Sequence, residues 1–322
     1  MKTYLMSRFR GNSYWATCVV SAVAIQLLAC SFAATAEPGE ERFAAMVNRA
    51  RPGTTIVLPA GDYGEVALIR RDFSPAVTID GHAAHFSKIT IRDSSGITIA
   101  GGTIVGTGGR SSGISILRAH NISIRSMKIT AAHQGIVIDR SDNVTITGNQ
   151  LVELISDGID IALSHHIRIE KNTCRAFNPT PAVYDQVGKL VRDGDHPDCI
   201  QAWSRPPYPP TSDLTILDNE MTGQMQGVFL GNHVRNGIDD GGFDRVVIRN
   251  NRVTAGLPNA IYANGVRVGE ITGNIIDTLP GAVLRGQASR PVRAHLYTEG
   301  SGVRVCGNRV ADFPHQSGTH HC

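Results

Sequence analysis

The stretch Gly135–Leu154, GIVIDRSDNVTITGNQLVEL, is followed almost at once by Gly158–Phe177, GIDIALSHHIRIEKNTCRAF. Both alternate β-branched or apolar residues with polar ones, both break at short polar turns, and both carry an asparagine at the same point, Asn149 and Asn172. That interval is 23 residues and recurs between Asn251 and Asn274, while Asn219 and Asn308 continue the series. Earlier copies run through FSKITIRDSSGITIAGGTIVG from Phe86 and GISILRAHNISIRSMKITA from Gly113.

A unit this short cannot bury a core by itself. Period-two alternation marks half-buried strands, and Gly, Asn and Asp mark the turns between them. The economical solution is a stack in which each strand pairs with its copy one rung along, about 4.8 Å away. The pattern therefore predicts an all-β fold, a parallel β-solenoid. Leucine-rich repeats share the period, but the LxxLxL spacing is absent. The recurrent asparagine is expected to take the left-handed corner conformation and to stack its amide into a ladder. Asn121 and Asn143, in NIS and NVT, read as ladder or turn residues of the same kind rather than glycan acceptors.

Before the rungs, ERFAAMVNRA places Phe43, Met46, Val47 and Ala50 on one helical face, suited to a short N-terminal helix capping the open end of the stack. PGTTIVLPAGDYGE then starts the first strands. This opening and the rungs that follow, over residues 40–313, resemble the pectin lyase-like superfamily of right-handed parallel β-helices, with its pectate and alginate lyases, polygalacturonases and mannuronan epimerases. The resemblance implies a right-handed parallel β-helix and a bias towards acidic polysaccharides. It is one of architecture: the polygalacturonase set NTD, DD, GHG and RIK and the pectate-lyase WIDH are missing. His233 in GNH, His196-Pro197-Asp198 against the epimerase DPH, and Asp157 in SDGI are partial echoes.

Residues 1–36 read as an export signal. Lys2, Arg8 and Arg10 precede an uncharged apolar run, and Ala34-Thr35-Ala36 offers a cleavage site. A lipoprotein signal ending at Cys30 is the minor alternative. The chain holds 31 Lys and Arg against 28 Asp and Glu, so removing three basic residues leaves an even balance. That balance points away from nucleic acid, and no membrane insertion is expected once the signal is removed. The expected location is the periplasm or the medium. The remaining chain, 37–322, reads as one β-helix domain containing Cys174, Cys199, Cys306 and Cys322. Of three possible pairings, Cys174–Cys199 with Cys306–Cys322 is preferred; free buried cysteines are the alternative.

Interruptions of the repeat locate the candidate site. With the regular rung as a ruler, insertions fall near 178–197, 204–211 and 232–243, on both sides of the strand beginning at Asp198. Loops flanking one sheet face make the walls of a groove. Alignment of the rungs points Ile159, Ile161, Ile200, Ala202, Ile261 and Ala263 inward. It points Val137, Asp160, Gln201, Phe229 and Tyr262 outward in one column, and Asp139, Ala162, Trp203, Gly231 and Asn264 in the next. A corner column holds Gln134, Asp157, Asp198, Gln226 and Asn259. Asp157 and Asp198 would then sit one strand spacing apart, where two carboxylates repel and titrate as a coupled pair.

Three chemistries suit such a groove. β-Elimination on a uronate polymer is the leading reading: Lys189, Arg192, Arg205 or a calcium ion neutralises the uronate, His196 removes the C5 proton, and Asp198 orients it. Tyr184, Tyr208 and Tyr262 are candidate acids, with Gln201, Trp203, Phe229 and His233 as further substrate contacts. Hydrolysis by pairs among Asp157, Asp160, Asp195 and Asp198 is the alternative, as are C5 epimerisation and a non-catalytic carbohydrate-binding or surface role. The metal ligands and oligomeric state are left open. The acidic loop Asp239, Asp240 and Asp244 lacks a regular calcium-ligand spacing.

Overall fold

The structure is a computed structural model that describes residues 38–284, 290–299 and 302–318. Three long parallel sheets run the length of the stack, two of ten strands and one of nine. The chain visits them in strict rotation, so every strand pairs with a strand of the neighbouring rung. The result is a right-handed parallel β-helix. The nine-stranded sheet carries the candidate site. Its relevant strands are β1 (Gln134–Asp139), β2 (Ile159–Ala162), β3 (Asp198–Trp203), β4 (Gln226–Leu230), β5 (Asn259–Ala263) and β6 (His295–Thr298).

Identical alternation in successive rungs puts like on like. Ile136, Ile159 and Ile200 are register partners, as are Ile138, Ile161 and Ala202, and all are buried. The facing sheet stacks Ile124, Ile146, Ile169, Ile216 and Ile248 in the same way. Each isoleucine so removed from water contributes roughly 1.5–3 kcal/mol over an exposed one. The helix α1 (Gly39–Asn48) closes one end, burying Val47 in the core and Phe43 against Tyr63 and Phe86. Met46 and Ala50 are partly buried beside them. At the other end, the last strand and a short 3-10 turn, Pro314–Ser317, lie over the final rung.

The asparagine ladder is present and complete. Asn149, Asn172, Asn219, Asn251, Asn274 and Asn308 are buried, and each of the first five donates its side-chain amide to the Oδ1 of the next. The same Oδ1 also receives the backbone N–H of the preceding asparagine. One expectation is corrected. The left-handed residue is not the asparagine but the one before it: Gly148, Lys171, Asp218, Asn250, Gly273 and Gly307. That geometry turns the next side chain inward, where an amide can satisfy two donors and two acceptors at once. Asn121 and Asn143 are themselves left-handed, and the Asn143 amide donates to Asn121 Oδ1 at 2.6 Å.

Three antiparallel hairpins project from the stack: Val183–Tyr184 with Leu190–Arg192, Val234–Arg235 with Ile238–Asp239, and Val283–Leu284 with Arg290–Pro291. The third has no counterpart among the expected insertions. Asn274 to Asn308 spans 34 residues against the regular 23, so its signal was in the sequence. Cys174 and Cys199 form a disulfide, with Cα atoms 5.8 Å apart, across the base of the first insertion. The export signal at 1–36 with Cys30, and the Cys322 half of the second expected disulfide, lie outside the described residues. Among the described residues no helix is long and apolar enough to cross a membrane.

Candidate active site

The corner preceding the site strands repeats the logic of the asparagine ladder with different chemistry. Gly135 N–H bonds the Asp157 carbonyl, Gly158 N–H bonds the Asp198 carbonyl, and Asp198 pairs with Gln226. Gly158 has no room for a side chain: a Cβ there would lie 2.5 Å from the Cys199 carbonyl oxygen. Asp157 and Asp198 therefore lie on adjacent rungs, with Asp157 Oδ1 accepting the Asp198 backbone N–H at 2.9 Å. Along the face, Val137, Asp160, Gln201, Phe229, Tyr262 and Tyr297 are successive register partners.

Asp157, Asp160 and Asp198 are all buried, Asp198 to 1 % exposure. Their partners are few. Ser156 Oγ donates to Asp157 Oδ2 at 3.2 Å, the Gln201 amide to Asp198 Oδ2 at 2.9 Å, and the Gln134 amide to Asp160 Oδ2. Asp160 Oδ1, Asp198 Oδ1 and Gln226 Oε1 are buried with no hydrogen-bond partner. Burial pushes the Asp157 carboxyl above its ordinary value, against the opposing Asp198 N–H, Ser156 and His133. Asp160 is held well above the usual carboxylate range by burial and then by the Asp157 charge, with Gln134 opposing. Asp198 is raised well above it too, by burial and by the charges of Asp157 and Asp160, with Gln201 opposing. Burial and mutual repulsion therefore favour the protonated form at all three carboxyls.

Two cavities flank this cluster and share Gln201 and Phe229. One, of about 420 Å³, lies at the starts of the site strands and contains Asp198, Gln226 and His196 among its walls. The other, of about 250 Å³, lies at their ends and is lined by Trp203, Arg205, His233, Arg235 and Asp240. The Arg205 guanidinium sits 5.5 Å above the Trp203 ring.

Of the residues expected at the site, Asp198, Gln201, Trp203, Arg205, Phe229, His196 and His233 line these cavities, while Asp157 and Asp160 line neither and sit one rung away beside Asp198 and Gln201. His196 is 62 % exposed, with Nε2 3.6 Å from Asp193 Oδ1, so the carboxyl cluster does not hold its imidazole. Three others sit elsewhere. Lys189 and Arg192 lie on the exposed first hairpin and line neither cavity, because the insertion folds outward as its own two-strand ladder. Tyr208 lies near the Arg140 guanidinium, 5.9 Å from it, outside both cavities. Tyr262 is sandwiched between Phe229, at 4.7 Å, and Tyr297, at 4.9 Å, in a nearly parallel stack. Its faces are covered and only its edge and hydroxyl are presented.

Several residues had no place in the sequence reading. Tyr297 completes the aromatic stack, and its register needed the length of the third hairpin. His133 lies with Nε2 3.8 Å from Asp195 Oδ1, linking the first insertion to the β1 end of the cluster. Among the described residues, no group of three or more His, Cys, Asp or Glu side chains is placed to hold a metal ion. In the acidic loop, Asp239 accepts the Gly241 N–H and Asp244 pairs with Arg267.

Residues 66–190 match the family model of the right handed beta helix region. That match agrees with the three-sheet rotation described above. The fold is a right-handed parallel β-helix. Among solved β-helix structures it is similar to a PL6 alginate lyase in complex with a trisaccharide, at 11 % identity and a TM-score of 0.48 over 74 % of this chain and 52 % of that one. It is similar to PfbA, a surface adhesin of Streptococcus pneumoniae, at 9 % identity and a TM-score of 0.39 over 74 % and 81 %. It is also similar to the Azotobacter vinelandii mannuronan C-5 epimerase AlgE6 A-module, at 15 % identity and a TM-score of 0.37 over 84 % and 93 %. This β-helix thus spans about half the length of the alginate lyase chain. No curated protein matches the sequence.

Proposed function

We propose that this β-helix is an exported enzyme that cleaves an acidic polysaccharide, using Asp157, Asp160 and Asp198 as its acid–base groups. The observation that carries the reading is the set of three buried carboxyls with raised proton affinity and two unpartnered oxygens, beside Gln201, which lines both cavities. A buried carboxyl that keeps its proton near neutrality is a general acid for a glycosidic oxygen, and an ionised neighbour serves as base or nucleophile. The same protonation lets an acidic chain approach a floor of carboxyls without full repulsion. The buried disulfide fits an oxidising compartment and supports export.

β-Elimination is the second reading, favoured by one observation: His196 borders the same cavity as Asp198. It ranks behind hydrolysis because that imidazole is exposed and the expected cations Lys189 and Arg192 stand away from the groove.

The test is digestion of a panel of acidic and neutral polysaccharides by the wild type, Asp198→Asn and His196→Ala. New reducing ends without unsaturated sugars, lost in Asp198→Asn and kept in His196→Ala, support hydrolysis. Unsaturated products lost in His196→Ala establish elimination. Absence of cleavage across the panel leaves binding as the role of the groove and removes the proposal.

A further inference from the structure

Resting on the reading above as a glycan-binding groove, the two cavities differ in a way that specifies the glycan. Arginines on the ordinary faces of the solenoid are neutralised by stacked carboxylates: Arg118 with Asp93, Arg245 with Asp213, Arg267 with Asp244, Arg304 with Glu270 and Arg309 with Asp277. Arg205 and Arg235 differ from these in facing a cavity. Neither has a carboxylate partner among the described residues, and both line the 250 Å³ cavity with Trp203, His233 and a single carboxylate, Asp240. Two unpaired guanidiniums over a concave surface are a receptor for an anionic group, since each offers planar donors that match a carboxylate or sulfate.

The 420 Å³ cavity is of the opposite character. Leu257, Pro258, Leu284 and Phe229 form much of its wall, and among the described residues no arginine or lysine lines it, His196 being its one basic side chain. Its polar floor consists of Asp198, Gln201, Gln226 and Asn259, with Asp198 Oδ1 and Gln226 Oε1 unpartnered. A uronate carboxylate placed there would meet a carboxyl group and an apolar wall, and would shed its water for no compensating charge. An uncharged sugar with hydroxyl donors on one side and a deoxy or acetyl group on the other meets complementary surfaces throughout.

The cavities lie at opposite ends of the same strands and meet at Gln201 and Phe229. A glycan occupying both therefore crosses the sheet along the strand direction rather than following the solenoid axis. Beyond Phe229 the axial route is taken up by the Phe229–Tyr262–Tyr297 stack, whose inner ring faces are already covered.

We infer that the substrate is a heteropolysaccharide in which an anionic sugar adjoins an uncharged, partly apolar one. The anionic unit sits against Arg205 and Arg235, the uncharged unit sits against Leu257 and Leu284, and the linkage between them lies over Gln201. A homopolymer of uronates cannot satisfy both subsites at once.

The experiment compares fluorescently labelled oligosaccharides of three kinds: uronate homopolymers, alternating uronate–neutral polymers carrying deoxy or N-acetyl sugars, and neutral homopolymers. Binding is measured to the full protein and to Arg235→Ala and Leu257→Ser, which alter exposed or half-buried positions outside the carboxyl cluster. The expected result is an affinity for the alternating glycan on the order of tenfold or more above either homopolymer, the size of one well-formed contact. Arg235→Ala should remove most of that margin over the neutral chain and flatten the salt dependence. Leu257→Ser should remove the margin over the uronate chain. Equal or tighter binding of the uronate homopolymer overturns the inference and leaves the glycan-cleaving function standing. If no glycan of any class binds, the inference falls together with the function it rests on.

Discussion

Two corners of this solenoid are built on the same spacing and come out as opposites. At one, six asparagines repeat from rung to rung, and every described amide finds its donor and acceptor in the neighbouring rung. At the other, Asp157, Asp198 and Gln226 follow one another, and two of the three leave a buried oxygen without a partner. An amide is donor and acceptor together, so it polymerises along a 4.8 Å repeat; an ionised carboxylate is acceptor only, and two in succession repel. Stacking, then, is neutral scaffolding. What turns one corner into a candidate for chemistry is a side chain that the stack cannot satisfy.

Exchanging the two chemistries is the strongest way to break that contrast. Asp198→Asn should lower turnover by about 10³-fold or more while the protein stays folded, because the amide satisfies the corner but cannot move a proton. Initial rates and thermal unfolding of the purified variant check both halves of that statement. The reverse exchange, Asn219→Asp, should cost roughly 3–5 kcal/mol of stability, read as a shift in denaturant midpoint. It removes the donor to Asn251 Oδ1 and to the Ile169 carbonyl and leaves a buried charge among acceptors.

Opening the disulfide sharpens the comparison in a different place. Cys174 and Cys199 enclose the first insertion, so replacing both by serine should cost about 2–4 kcal/mol, with the loss arising mainly in the unfolded state. Reduction of the wild type under native conditions should give the same change.

Smaller in slope is the response to pH. Asp157, Asp160 and Asp198 have folded proton affinities above the ordinary carboxylate value. The folded state therefore binds more protons than the unfolded one above the ordinary carboxylate pKa. The stability these groups contribute is complete below that pKa and is lost as pH rises through their folded values, at about 1.4 kcal/mol per pH unit for each proton retained. Asp198→Asn should flatten the slope. Asp213 runs the other way: Arg245 holds it down to about 2, so its contribution is lost as pH falls towards that value. Denaturant midpoints measured across pH separate the two.

The rungs were legible in the sequence for a physical reason. Period-two alternation with an asparagine every 23 residues fixes register as well as fold, and register alone aligned Val137, Asp160, Gln201, Phe229 and Tyr262. The same ruler put Asp157 beside Asp198. It could not say where the insertions go once they leave the stack, which is why Lys189, Arg192 and Tyr208 were expected in a groove they do not line. Nor could it tell a platform from a stack. Aromatic residues on adjacent rungs cover one another, so Tyr262 has no free face. The asparagine conformation was missed by one residue because both a left-handed corner and a buried amide suit that side chain, and only the backbone assigns the corner to Gly148 and Lys171.

Carbon-13 titration of the aspartate carboxyls, assigned through Asp157→Asn, Asp160→Asn and Asp198→Asn, asks directly whether this corner stores protons. The account predicts that all three carboxyls titrate above the ordinary aspartate value, and that removing Asp157 lowers the midpoints of Asp160 and Asp198. Three independent titrations, all complete near the ordinary aspartate value of about 4, would contradict it.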